Sequence, residues 1–493
     1  MRRIVSELAG YVWDLGAAAC RGWSRFFFRP ADPTALGLIR ILAGGLAFWS
    51  LLVFGLDFDD YFGPNSWADA AIIRESLRER QPWAWSFWFL VPESWLWGVW
   101  LGCLGVIGLA TLGLFSRVTG ILTWVIVVST VRRLPVALFG FDQILSTLWL
   151  YLAVTMAGGQ AVSLDRFWSR WRESRAAARR PRPGSPGAQR IVWPTTPGVP
   201  PASVSANLAL RLIQLHLVFI YAMAGLAKVQ GPSWWRGMAL WGTMTAGEFV
   251  TRDFTWMVDW ILLINFMTHA SLAFELLYPV LVWVPLLRPI MLGGAVLLHA
   301  GIAIVAPGLT EFGLGMVAAN LAFVSGVWLR SLVTGTEQPA LRIVYDGDCP
   351  RCRASMALAT AADPDGVLAP IDLTAVDVRT IAEPLTAADC LRAMHVVDRS
   401  GSVTVGFDGV RTLASWIPLF WPLALLFWLP GVSWAGRRLY NRIASRRARD
   451  SFCNDDVCGI PPPLRNDPHS RSGEIVDSSL AVPASDLTHR SPS

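Results

Sequence analysis

Eight stretches of almost unbroken apolar residues divide the first two thirds of the chain, at roughly 36–57, 95–115, 118–138, 143–158, 206–227, 257–286, 289–306 and 312–330. A helix of about 20 residues crosses the ~30 Å hydrocarbon layer, so each stretch reads as a transmembrane helix, the fourth short and the sixth long. Ahead of them, residues 1–35 interleave Arg2, Arg3, Arg21, Arg25 and Arg29 with Val12, Trp13 and three consecutive phenylalanines from Phe26. That mixture predicts an amphipathic arm lying in the membrane interface, and it lacks the compact apolar core of a cleaved signal peptide.

The pattern changes after a short linker at 334–340. Leu341–Tyr345 reads as a strand, the residues after Cys352 as a helix, Val367–Leu373 as a second strand, and 394–399 with 402–407 as a hairpin turning at Ser400-Gly401. Strand and helix alternate, which indicates a small α/β domain over 341–460. The apolar run Trp416–Pro430 is too short to cross a bilayer and is expected to rest on it or on the membrane domain. From 461 to 493 the Pro, Ser, Asp and Arg content predicts a disordered tail, and the Pro- and Arg-rich stretch 178–201 a flexible loop.

Composition agrees with embedding. The 493 residues are 53% hydrophobic and only 16% charged, with mean hydropathy +0.43, which excludes a purely soluble enzyme. With eight spans, the arm, Arg117, the eight arginines of 166–190, Arg288 and Arg330 fall on one side. The positive-inside rule makes that side cytoplasmic, giving a multi-pass protein of the plasma or inner membrane with both termini inside. The bilayer therefore accounts for the basic balance, and no nucleic-acid partner is expected.

Of the 42 cationic residues the only lysine is Lys228. Arginine snorkels as well as lysine does, but only lysine offers an amine that burial can tune into a base, so Lys228 stands out as a candidate functional group. Further ionisable groups lie within the spans: His216 before Lys228 in one, His269 and Glu275 in another, and His299 in the next. Each could instead bridge helices by hydrogen bonds. No histidine pair has i, i+4 spacing, so no metal site is expected.

The chemistry of the C-terminal domain centres on Tyr345-Asp346-Gly347-Asp348-Cys349-Pro350-Arg351-Cys352, a strand running into a CxxC at a helix start. A helix N-terminus favours the thiolate, so Cys349 is the expected nucleophile and Cys352 the resolving thiol, in a thioredoxin-like arrangement. A zinc site would need Cys453 and Cys458, about a hundred residues away, and fits the spacing less well; these two read as a secondary redox pair. The expected fold class is thus mostly α, a polytopic helical membrane bundle of about eight spans plus a small C-terminal thioredoxin-like α/β domain.

Two resemblances follow from these residues. Asp348, Cys349 and Cys352, with Leu429-Pro430-Gly431, Arg446-Arg447 and Cys453/Cys458, resemble the DCC family of thiol-disulfide oxidoreductases over about 341–460. That resemblance implies thiol exchange, with a thiol protein as partner. Tyr221–Lys228 followed by Trp235-Arg236-Gly237, together with Arg40, Phe274-Glu275-Leu276 and His299, resembles the HTTM domain of vitamin K-dependent gamma-carboxylase over about 30–330. There the matching lysine deprotonates a hydroquinone, so this resemblance implies a base at Lys228 and a quinone or hydroquinone cofactor; the ionisable groups within the spans add His299 to Lys228 as a catalytic candidate and His216, His269 and Glu275, with Trp235 and Arg236, as substrate-binding candidates. The expectation is an integral membrane redox protein joining the two activities; the alternative is a thiol-disulfide oxidoreductase for which the bundle is only an anchor.

Overall fold

The computed structural model describes residues 2–446 except 65, 68, 82, 180–199, 246, 248–250, 335–339, 364–365, 374–375, 377 and 383–384. Its principal helices are α1 (Arg2–Phe28), α2 (Thr34–Phe54), α3 (Leu96–Leu112), α4 (Ser116–Arg133), α5 (Gly140–Thr155), α6 (Leu164–Arg179), α7 (Val204–Val229), α8 (Ile261–Leu281), α9 (Arg288–Val305) and α10 (Thr310–Asn320). Shorter helical segments lie between them. Helices α2, α3, α7, α8 and α9, some with a short lead-in turn, are long and apolar enough to cross a membrane. A sixth span arises only if Pro307–Phe323 and Gly326–Leu332, bent by 110°, count as one broken crossing.

Of the eight expected spans, five or six thus meet the length and hydropathy of a crossing among the described residues. All eight apolar stretches are helical, but α5 has only 16 residues, about 24 Å of rise, and α4 places Arg117, Arg132 and Arg133 within its 18. Both helices still belong to the bundle core, where Ile126, Val127, Ile144, Leu148 and Trp149 pack with Leu36, Ile39 and Ile213. Between apolar helices in lipid, close backbone approach and interhelical hydrogen bonds supply the cohesion that water exclusion supplies elsewhere. A methyl group on Gly44 would lie 2.3 Å from the Thr111 hydroxyl. The Trp100 and Trp149 indoles donate to the carbonyls of Leu51 and Ala43.

Arg40 illustrates how a cation is accommodated inside the bundle. Its guanidinium donates to the carbonyls of Gly158 at 2.5 Å, Val162 at 2.6 Å and Thr111 at 3.3 Å, stitching α2 to the α3 end and to the turn after α5. Gly113, at φ 69°, leaves the room: a side chain there would meet the guanidinium at 2.6 Å. Arg40 is thus a structural clamp at the arginine-rich end of the bundle.

The C-terminal domain is a four-stranded mixed sheet in the order β2-β1-β3-β4, from β1 (Leu341–Tyr345), β2 (Leu368–Asp372), β3 (His395–Asp398) and β4 (Val403–Val405). β1 pairs parallel with β2 and antiparallel with β3, and β3 with β4 forms the expected hairpin. The longer helices of this domain are α11 (Pro350–Ala362), α12 (Phe407–Trp416), α13 (Trp421–Phe427) and α14 (Pro430–Ala444), with a short helical turn at Ala387–Arg392 before β3.

One helix of the membrane half completes this domain. α6 packs along α11, with Phe167 and Ala178 joining the core of Leu341, Ile343, Met356, Ala357 and Leu413. Arg170 donates to the Thr360 carbonyl at 2.7 Å, and Thr360 to the Ser174 hydroxyl at 3.3 Å. The other end of α6 is anchored in the bundle, where Asp165 accepts from the Phe115 and Ser116 amides at 2.8 Å. The arginines of 166–179 are thus helical, with Arg170 buried, Arg166 half-buried and the other three exposed; residues 180–199 of the expected loop lie outside the described residues, as does the expected tail 461–493.

Candidate functional sites

The thiol site is built where β1 ends and α11 begins. Tyr345 closes the strand, and Gly347 passes so close to the last residue of β2 that a methyl group there would lie 2.2 Å from Asp372 Oδ2. Asp346 is buried and its carboxylate accepts the Asp348 amide at 3.0 Å, fixing the turn. Cys349 follows as the N-cap of α11, with Pro350 in the first helical turn, where a missing N–H costs no hydrogen bond. Its Sγ accepts the Cys352 amide at 3.3 Å. A sulfur in the N-cap position, held against a helix N–H, is placed where negative charge is stabilised.

Cys349 is buried and Cys352 half-buried. Arg353 donates to the Gly347 carbonyl at 2.9 Å, and Arg351 to the Arg446 carbonyl at 2.8 Å, so the CxxC turn is tied to the end of α14. Cys390 has another role: burial, with Asp389 beside it, pushes its thiol up to about 11, and it packs with Val344, Val378 and Val397 as a structural residue. Cys453 and Cys458 lie outside the described residues.

The membrane half brings some of the expected residues together and leaves others apart. Lys228 Nζ meets Glu275 Oε2 at 2.6 Å, linking the end of α7 to α8, and lies 5.2 Å from the centre of the Trp234 ring. Beneath this pair, His299 Nε2 and the Tyr221 hydroxyl are 2.9 Å apart. Tyr221 also accepts from Asn320 at 3.4 Å, and Asn320 accepts from the Tyr278 hydroxyl at 2.5 Å. His299 Nδ1 is buried with no hydrogen-bond partner among the described residues. The network draws one group or more from each of α7, α8, α9 and α10.

His216 is not part of it: its Nδ1 pairs with the Tyr151 hydroxyl at 3.1 Å, bridging α7 to α5. His269 bonds the Asn265 carbonyl on its own helix at 2.9 Å and is exposed, against the tight turn at Gly237. Trp235 donates to the Val229 carbonyl at 2.7 Å and closes the C-terminus of α7, while Arg236 is exposed. Tyr221, Tyr278 and Asn320 fall outside the set of site residues expected from sequence. The available signal is Asn320, an amide between Ala319 and Leu321 in an apolar helix, which lipid tolerates only when it is paired. No cluster of three metal-ligating side chains occurs among the described residues.

Searches of the curated proteins and of the solved structures each return no match to this chain. A family model does match, and it covers the sheet, the CxxC turn and the helices around them while stopping short of the bundle: residues 343–452 carry a DCC1-like thiol-disulfide oxidoreductase domain.

Proposed function

We propose that the protein is a membrane-tethered thiol-disulfide oxidoreductase with a thioredoxin-like catalytic domain, in which Cys349 attacks and Cys352 resolves. The observation that carries this reading is the N-cap position of Cys349, with its Sγ accepting the Cys352 N–H. The Cys349 thiolate attacks a substrate disulfide, forming a mixed disulfide and expelling the substrate's other sulfur as a thiolate, which takes up a proton. Cys352 then attacks Cys349 Sγ, closing the intramolecular disulfide and releasing the substrate as a dithiol; the enzyme gives up two electrons and the substrate gains two. A Cys352→Ser variant should accumulate the mixed disulfide on non-reducing gels, and adding Cys349→Ser should abolish it. Trapping that persists in the double variant overturns the assignment.

A second reading rests on the polar network in the bundle. A lysine paired to a carboxylate beside a buried Tyr-His-Asn-Tyr chain exceeds what an anchor requires, since each ionisable group in lipid is costly. In this reading Lys228 and Glu275 exchange a proton with a lipid-soluble acid of the hydroquinone type, as the HTTM resemblance implies. Lys228→Arg keeps the charge and the ion pair but replaces a titratable amine with a permanently charged group. Oxidation of a hydroquinone by dissolved dioxygen, which takes the two electrons while the Lys228–Glu275 pair takes a proton, should fall at least about tenfold in that variant; an unchanged rate overturns the reading.

A further inference from the structure

Helices α13 and α14 form an outer layer on the thiol domain whose free face is unlike the rest of that domain. Their inner contacts are well defined. Phe407 packs its ring 5.3 Å from Phe427, and a methyl group on Gly436 would strike Phe407 at 2.2 Å. The Tyr440 hydroxyl accepts the Met394 amide at 2.9 Å, and Arg437 bonds Asp408 at 3.1 Å. These contacts fix which side of each helix points away.

On the outward side of α14, Val432, Leu439 and Ile443 recur at i, i+7 and i+11 and make one apolar stripe, all exposed. Alongside it run Trp434, Arg438 and Arg442 at i, i+4 and i+8, likewise exposed, with the Arg438 guanidinium 3.8 Å from the Trp434 ring centre. The end of α13 adds Leu425 at 77% exposure and Leu426, and the turn after it adds Trp428 and Leu429, all open. No aspartate or glutamate occurs between Asp408 and Asp450, whereas arginines stand at 411, 437, 438, 442, 446, 447 and 449.

We infer that this face is a membrane-docking surface whose partner is an anionic bilayer. Leucines and tryptophans ringed by arginines, with no acid among them, match the chemistry of a headgroup layer: the apolar stripe enters the acyl boundary, the indoles sit at headgroup level, and the guanidiniums meet lipid phosphates. Asp408 pairs with Arg411 and Arg437, but a second protein copy would bring Arg438 and Arg442 against their own counterparts, so charge complementarity selects the lipid surface. The consequence concerns the thiols. Arg351, inside the CxxC, is bonded to Arg446 just beyond α14, so docking this face sets the Cys349/Cys352 turn beside the bilayer surface. The docking depends only on the outer face, and its link to catalysis rests on the thiol reading above.

The test uses the full-length protein in proteoliposomes with a photocrosslinking benzoylphenylalanine at Leu425 or Leu439, and mass spectrometry of the adducts. The expected result is attachment to lipid in phosphatidylcholine vesicles containing phosphatidylglycerol, falling about fivefold or more when phosphatidylglycerol is omitted or when Arg438→Glu and Arg442→Glu are combined. Adducts to a second copy, or lipid adducts insensitive to both changes, overturn the inference. Reduction of a soluble aromatic disulfide, measured on the same samples, keeps the two ideas separate. Lost lipid attachment with exchange intact sinks the docking surface alone, and lipid attachment without exchange sinks the thiol reading alone.

Discussion

Truncating Glu275 leaves the Lys228 ammonium with only the Trp234 ring and partial solvent access, because the carboxylate at 2.6 Å is the counter-ion that the structure gives it. Removing one member of a buried ion pair is costly, whereas replacing both by apolar groups of similar size is often neutral. Glu275→Leu should therefore destabilise the bundle by about 2–3 kcal/mol, less than for a fully buried pair because Lys228 keeps a quarter of its side chain exposed. Lys228→Met combined with Glu275→Leu should recover most of that loss in thermal unfolding in detergent. If the double variant is as unstable as the single one, the pair is not the coupled unit described here. The same contact alters the meaning of a lone lysine. Composition singles out Lys228 and lipid physics requires it to be paired, but nothing in the spacing chooses Glu275 over His269, since the choice depends on how α7 and α8 are rotated against each other.

At the scale of elements, α6 is the part whose role exceeds its sequence signal. Its Arg- and Trp-rich stretch reads as a charged cytoplasmic segment, yet Phe167 and Ala178 lie in the core of a domain that begins more than 160 residues later. Local patterns find β1, the CxxC turn, β2 and the hairpin because each is dictated by neighbours in sequence, such as Ser400-Gly401 between two apolar runs. They do not reveal that α11 needs a partner helix from elsewhere, which is a long-range contact without a periodic signature. Span counting has a similar limit: α4 and α5 are apolar enough to be noticed, and their length and arginines emerge as decisive only once the helix ends are located. The packing makes α6 testable. Ala178→Arg would force a long cation into a buried methyl-sized site, at a cost of about 2–4 kcal/mol to the α6–α11 contact. Amide hydrogen exchange in α11 should then accelerate while α7 and α8 stay protected; unchanged exchange in α11 would show that α6 does not support the thiol helix.

For the whole molecule, the two candidate sites stand at opposite ends of the bundle. α6 leaves from the turn after α5 and is pinned beside the start of α4, and the start of α7 pairs there with the residues before α2, through Ser203 and Ala31. Lys228 is at the far end of α7, 24 residues on from Val204 and thus about 36 Å along the axis. A hydrogen bond or direct thiol attack cannot bridge that length, so any chemistry at Lys228 and any at Cys349 exchange equivalents only through a diffusing carrier. The arrangement fixes an outcome for labelling with a membrane-impermeant maleimide. In a background with the remaining cysteines changed to serine, Cys352 should be modified from the face that carries α6, and a cysteine introduced as Ser233→Cys from the opposite face. Vesicles of the two orientations should therefore show reciprocal labelling, with about tenfold or greater contrast if the bilayer is sealed. Modification of both positions from the same face would mean that α7 does not cross the membrane, and the separation of the sites would go with it.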